Sequence, residues 1–257
     1  MSLFPLISGN NHNGPFSGVF GSHPSRTHDD ALSPTIRFSP CFSVVRQWTV
    51  GPDPARQSPD RLVFDLDPGE GATVVECARV AERLLEVLTA DGLIPLPKTS
   101  SSKGLQIYCG VRTHQPDRTS AYAKAVAEQL AKELPELVVA KMAKNLHPNR
   151  VLIDWSQNHP AKTTVAPYSL RGRAFPTVSA AIRWAEVRAC RTPAELTVTA
   201  DDVLHRVGEH GDLLAESADT HVALPGKRAF WSPRRALRLS QRAWFDICLA
   251  RGSTTPP

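Results

Sequence analysis

The nine residues Arg61-Leu62-Val63-Phe64-Asp65-Leu66-Asp67-Pro68-Gly69 constrain this chain more than any other stretch. They form a short apolar run that carries two acids two positions apart and closes on Pro-Gly. Read as a strand, a side-chain period of two puts Asp65 and Asp67 on one face and Leu62, Phe64 and Leu66 on the other. Two anions side by side on a sheet raise each other's pKa unless a cation sits between them. A divalent ion that favours hard oxygen ligands, Mg²⁺ or Mn²⁺, meets that need. Asp-x-Asp alone has little specificity, and two solvated acids at a strand end are the plainer alternative.

The segments downstream decide between the two. Thr73 to Ala90 carries Val74, Ala78, Ala81, Leu85 and Leu88 at helical spacing, and Gly92 stops it. Leu93 to Lys98 reads as a strand. After the polar turn Thr99-Ser100-Ser101-Ser102-Lys103-Gly104, Leu105 to Val111 alternates as the next strand. Arg118 to Leu134 is a second amphipathic helix, with Thr119 or Ser120 as its cap and Pro135 at its end. Val151-Leu152-Ile153-Asp154-Trp155 is an apolar strand with one acid. The order β-α-β-β-α-β is the split-βαβ, ferredoxin-like pattern of an α+β fold. Its first strand is central, flanked by the third and fourth, and its helices cover one face and leave the other free. Asp154 then neighbours Asp65 and Asp67, with Lys103 at the mouth of the third strand. Three carboxylates converging from distant parts of the sequence favour the metal site over solvated acids. Farther on, Val178 to Val187 reads as a helix, Leu196 to Thr199 as a short strand, and Ala200 to Val207 as a helix capped near Asp201.

Charge is concentrated around these strands. The 257 residues carry a net charge of +5. Residues 98–173 alone hold twelve Lys and Arg against five Asp and Glu. Lys124 and Lys132 belong to a helix surface, whereas Lys103, Lys162, Arg171 and Arg173 sit in turns beside the acids and suit phosphate contacts. Hydrophobic content of 41% is enough for a buried core. No apolar run approaches the ~20 residues a bilayer span requires, and Met1 to Ile7 lacks the basic start of a signal peptide. Cys41, Cys77, Cys109, Cys190 and Cys248 are scattered without a Cys-x-x-Cys, which argues against a disulfide framework or structural zinc and fits a reducing cytoplasm. His12, His23 and His28 are irregularly spaced loop residues rather than a metal cluster. Residues 1–45 read as irregular, 46–225 as the folded domain, and 226–257 as a basic tail with aromatics, able to stack on nucleic acid or simply to continue into a linker.

Four blocks occur in family order: Phe64-Asp65-Leu66-Asp67-Pro68, Ser100 to Tyr108, Val151 to Asn158, and Lys162 to Arg171. Together, from about Trp48 to Leu224, they resemble the polymerase domain of bacterial DNA ligase D, of the archaeo-eukaryotic primase superfamily used in non-homologous end joining. The resemblance implies a primase-polymerase catalytic core that transfers a nucleotide from an NTP or dNTP to a primer 3′-hydroxyl at a DNA end. Asp65, Asp67 and Asp154 would hold two ions, Mn²⁺ or Mg²⁺. Ser100, Lys103, Gly104, Gln157 and Arg171 would contact the nucleotide, and Lys162 and Arg173 the DNA. Implied partners are gapped or overhanging DNA ends, Ku and an ATP-dependent DNA ligase, in a bacterial cytoplasm and on the nucleoid when DNA is bound. Two departures stand out. Residues 1–45 do not resemble the family's front subdomain, as if it were replaced or truncated, and His147 stands where relatives often have arginine.

Two other functions compete. A DNA-end or ligase-partner module without turnover would keep the basic surface. A haloacid-dehalogenase-like phosphatase would share Phe-Asp-Leu-Asp, but it needs Gly and Thr after the second acid and a later acidic pair. Here Pro68-Gly69-Glu70 follows, and Asp201-Asp202 falls at a helix cap.

Overall fold

A computed structural model describes residues 44–45, 48–50, 56–115, 117–172, 175–215 and 220–226. The expectations for the three histidines, for Arg173 and for the basic tail lie outside these residues. In chain order the first elements are β1 (Val44–Val45), β2 (Trp48–Val50), β3 (Arg56–Pro59), β4 (Arg61–Pro68), α1 (Val74–Ala90), β5 (Leu96–Thr99), β6 (Leu105–Arg112) and α2 (Arg118–Glu133). Then come β7 (Val138–Val139), β8 (Val151–Asp154), β9 (Thr164–Val165), β10 (Leu170–Arg171), β11 (Thr177–Val178), α3 (Trp184–Ala189), α4 (Ala200–His210) and β12 (Val222–Ala223).

The acidic strand β4 lies at the centre of the main sheet, antiparallel to β6 on one side and β8 on the other. Strand β5 pairs antiparallel with the near half of β6, β12 runs parallel to its far end, and β7 runs parallel to β8. The β-α-β-β-α-β order is therefore β4, α1, β5, β6, α2, β8, in the spatial order the split-βαβ pattern requires. The short pieces β7 and β12 were not foreseen; two-residue strands carry no periodicity to read.

One face of β4 makes the core. Leu62, Phe64 and Leu66 are fully buried with Leu105 and Ile107 of β6 and Ile153 of β8, under Ala78, Ala81 and Leu88 of α1 and Ala123, Val126 and Leu130 of α2. Helix α1 starts where the sequence indicates: the Thr73 hydroxyl accepts from the Val75 amide at 3.1 Å, and the Glu76 carboxylate accepts from the Thr73 amide at 2.7 Å. It ends at Gly92, whose φ of +80° only glycine adopts without strain. Helix α2 differs from expectation at its start. Its N-cap is Asp117, without a side-chain bond, and Thr119 is fully buried instead of capping.

The opposite face is not free. Asn158, Thr164, Val165 and Ser179 lie against it and partner its polar groups. Val63 is fully buried, and its amide and carbonyl are both bound by the Asn158 side chain, at 2.9 and 2.7 Å, in place of a neighbouring strand. The Tyr108 hydroxyl meets Thr164 Oγ1 at 2.9 Å. Residues 178–182 do not form the expected helix. They run along β5, with the Thr99 amide bound to the Ala180 carbonyl and the Ile182 amide to the Pro97 carbonyl, so edge pairing overrides their apolar periodicity. Helix α3 starts only at Trp184, and the expected strand at 196–199 is instead a 3-10 turn, Pro193–Leu196, followed by a loop. Helix α4 is capped by Thr199 and Asp202 rather than Asp201. Among the described residues no helix is long and apolar enough to cross a membrane.

Candidate active site

Antiparallel register brings the acids together. Asp65 lies directly opposite Asp154 of β8, and Asp67 follows two residues along β4. On its other side Asp65 is opposite Gln106 of β6, which is in turn opposite Lys98 of β5. A single row, Lys98, Gln106, Asp65 and Asp154, thus runs across four strands on the face away from α1 and α2. Asp65, Gln106, Lys98 and Asp154 are all buried, whereas Asp67 at the strand end is exposed. The acids thus sit at one end of the covered face, with Asp67 open to solvent.

Each acid in the row is held from the side. Gln106 Nε2 donates to Asp65 Oδ1 at 3.2 Å, and its own carbonyl oxygen accepts from the Tyr108 hydroxyl at 3.2 Å. Asp154 Oδ1 accepts from the Ser156 amide at 2.9 Å and the Ser156 hydroxyl at 2.5 Å, and Oδ2 accepts from Gln157 Nε2 at 3.2 Å. The 3-10 turn Trp155–Asn158 at the end of β8 supplies these donors. Burial, followed by the charges of Asp67 and Asp154, pushes the Asp65 carboxyl up to about 7, against the Gln106 bond and the Lys98 charge. Asp67 is raised as well, by desolvation and Asp154, with His147 and Arg171 opposing. Lys98 is fully buried and burial lowers its ammonium to about 7, partly offset by Asp65. Its Nζ donates to the Thr99 and Val165 carbonyls at 3.3 and 3.4 Å and bonds Ser179 Oγ.

Hard oxygen donors crowded until their carboxyls resist ionisation are a donor set that fits a divalent cation. Among the described residues no three His, Cys, Asp or Glu side chains form a finished metal cluster. The structure provides a facing pair of carboxylates with a third at the rim.

The nucleotide candidates surround the rim. Ser100 is buried, and its hydroxyl accepts from the Gly104 amide at 3.2 Å, closing the turn that leaves Lys103 exposed. A Cβ at Gly104 would lie 1.9 Å from the Leu66 carbonyl oxygen, so glycine is needed here for the turn to lie against the acidic strand. Lys103 and Gly104 line a cavity of about 290 Å³ with Thr73, Ser101, Thr177 and Thr197. Arg171 is near enough to bias both Asp67 and Lys98. Gln157 reaches Asp154, and its carbonyl oxygen is buried with no partner. Lys162 is exposed on the loop before β9. Lys98 and Gln106 were missed as site residues. Their signal was polar residues inside strands of otherwise buried character, but only register reveals that they align with Asp65. Of the acid pair a phosphatase would need, Asp202 is used elsewhere, accepting from the Thr199 amide at 2.8 Å in the cap of α4.

Comparison with known proteins shows the family. A sequence model described as the LigD primase-polymerase domain matches residues 34–214. The multifunctional non-homologous end joining protein LigD of Mycobacterium bovis is 46% identical over 165 residues, which are 63% of this chain and 21% of that protein. The bifunctional non-homologous end joining protein LigD of Bacillus subtilis is 31% identical over 156 residues, 60% of this chain and 25% of that protein. This chain therefore spans about a fifth to a quarter of the length of these relatives. The polymerase domain of Mycobacterium tuberculosis ligase D, solved in complex with DNA, matches with a TM-score of 0.64 and 41% identity, covering 70% of this chain and 64% of that one. With its acids on a central split-βαβ strand and most of its length matched, the chain belongs to the LigD primase-polymerase domain family, whose members are of the polymerase type.

Proposed function

We propose that this protein adds nucleotides to DNA ends during non-homologous end joining, transferring a nucleotidyl group from an NTP or dNTP to a primer 3′-hydroxyl. The observation that carries this reading is the facing pair Asp65 and Asp154 with Asp67 two residues on, in a chain of this family. Two divalent ions, Mn²⁺ or Mg²⁺, would supply activation of the hydroxyl and charge neutralisation on the leaving pyrophosphate. Asp65, Asp67 and Asp154 are the residues to hold them. The chain's own part is orientation. Ser156 and Gln157 fix the Asp154 carboxylate, and Gln106, braced by Tyr108, fixes that of Asp65. Crowding and burial that keep Asp65 and Asp67 reluctant to ionise favour a cation over water beside them.

Lys103, Ser100 and Gly104 would receive the triphosphate, with Arg171 and Gln157 closing on it from the other side. Lys103 is free to do so because its turn is tied down by Ser100 and Thr177. Lys162 and Arg173 would meet the DNA backbone. Ku and an ATP-dependent DNA ligase are the partners a non-homologous end joining role implies, in a bacterial cytoplasm. Extension of a labelled primer in Mn²⁺ tests the reading. Lys103→Ala should raise KM for the nucleotide about tenfold through loss of one charge-assisted contact, with a smaller effect on kcat. An unchanged KM removes Lys103 from the nucleotide site, and no extension by the wild-type chain overturns the activity.

A further inference from the structure

We propose that Phe175 is a stacking platform for an unpaired nucleobase of the DNA end, a contact that rests on the polymerase reading above. Phe175 is 86% exposed, against 42–48% for Met142, Ile94 and Leu204, the other exposed large apolar side chains among the described residues. A phenyl ring left in water forgoes the stabilisation that burial would bring. Phe175 sits in the connection between β10 and β11, which pair through Leu170 with Val178 and Arg171 with Thr177. The base of that hairpin is packed: Val178 belongs to a cluster with Ala180, Val198 and Val203, against which Leu170 and Tyr168 rest. Pro176 follows and restricts the Phe175 backbone to extended conformations.

The ring's surroundings indicate the partner. Thr177 Oγ1 donates to the Ser101 carbonyl at 3.0 Å, tying the hairpin to the turn that exposes Lys103. Arg171, at the hairpin base, acts on the rim carboxylate Asp67. An exposed aromatic ring on a hairpin that carries Arg171 at its base and is tied to the Lys103 turn, just beyond a stretch with twelve basic and five acidic residues, suits a polyanion that carries flat bases. An apolar protein partner would gain nothing from those cations.

Equilibrium anisotropy with the full chain tests this, using a labelled duplex with a short overhang and the same duplex with an abasic overhang. Phe175→Ala should weaken binding to the base-bearing overhang roughly five- to hundredfold, and Phe175→Trp should restore it. On the abasic overhang both chains should bind alike. The salt slope of log K should stay the same, because the ring neutralises no phosphate. At 86% exposure the ring contributes little packing, and an unchanged melting temperature checks that. Equal affinities of wild type and Phe175→Ala for the base-bearing overhang would overturn the stacking role alone. Equal losses on both overhangs would assign the ring to something other than a base. A wild-type chain without affinity for either DNA removes the polymerase reading and this contact together.

Discussion

Gly104 and Asp65 show how individual residues set this site. The Ser100–Gly104 turn lies against β4 because Gly104 leaves the Leu66 carbonyl the space a Cβ would take. Gly104→Ala should cost about 3 kcal/mol of unfolding free energy, as backbone must move rather than a flexible side chain; a loss below ~0.5 kcal/mol in urea denaturation would show that the turn can lift away freely. Asp65 makes a prediction about pH. Its ordinary value of 3.8 becomes about 7 in the fold, so between these values the folded chain holds a proton that the unfolded chain has released. Stability therefore falls as pH rises through that window. In chelator, the stability difference between wild type and Asp65→Asn should decline from pH 4 to pH 7, measured by thermal denaturation. A flat difference contradicts the burial and crowding described for this acid.

At the scale of elements, β4, α1, β6 and α2 were legible in the sequence because each is long enough for its period to show and has a chemical stop. Helical spacing from Val74 to Leu88 and the stop at Gly92 mark α1; Phe64 and Leu66 alternate with Asp65 and Asp67. Residues 178–199 were misread because their apolar spacing is satisfied by edge pairing to β5 and by docking of α3 and α4, neither of which is local. That docking depends on an ion pair. Arg206 Nη2 donates to Glu186 Oε2 at 2.9 Å and to the Ala181 carbonyl at 3.2 Å, and Nη1 bonds the other carboxylate oxygen. Burial would raise the Glu186 carboxyl, but the bonds from Arg206 and the Arg183 amide outweigh it and hold it at about 2. Arg206→Met should cost about 2 kcal/mol, the scale of losing charge-assisted bonds to a half-buried carboxylate. Adding Glu186→Gln should recover part of that loss in a double-mutant cycle; strict additivity would mean the pair does not hold α4 to α3.

For the whole molecule, the three acids were found from sequence because parity and topology are both readable, and the β4–β8 register then sets Asp65 against Asp154. The covering of that face was not readable. Asn158 substituting for a strand partner at Val63, and Lys98 buried beneath residues 165 and 179, depend on contacts between residues 95, 67 and 81 positions apart. On the proposed reading these carboxylates serve nucleotide addition and not DNA affinity, since anions repel a polyanion and are useful only once a cation sits among them. The most direct measurement pairs primer extension in Mn²⁺ with DNA-binding anisotropy on the same preparations of wild type and Asp154→Ala. In Asp154→Ala, extension should fall at least about a thousandfold, a loss on the scale of an electrostatic group central to the reaction, with a DNA dissociation constant unchanged or slightly tighter. Extension retained within about tenfold, or DNA binding lost together with extension, would contradict that reading.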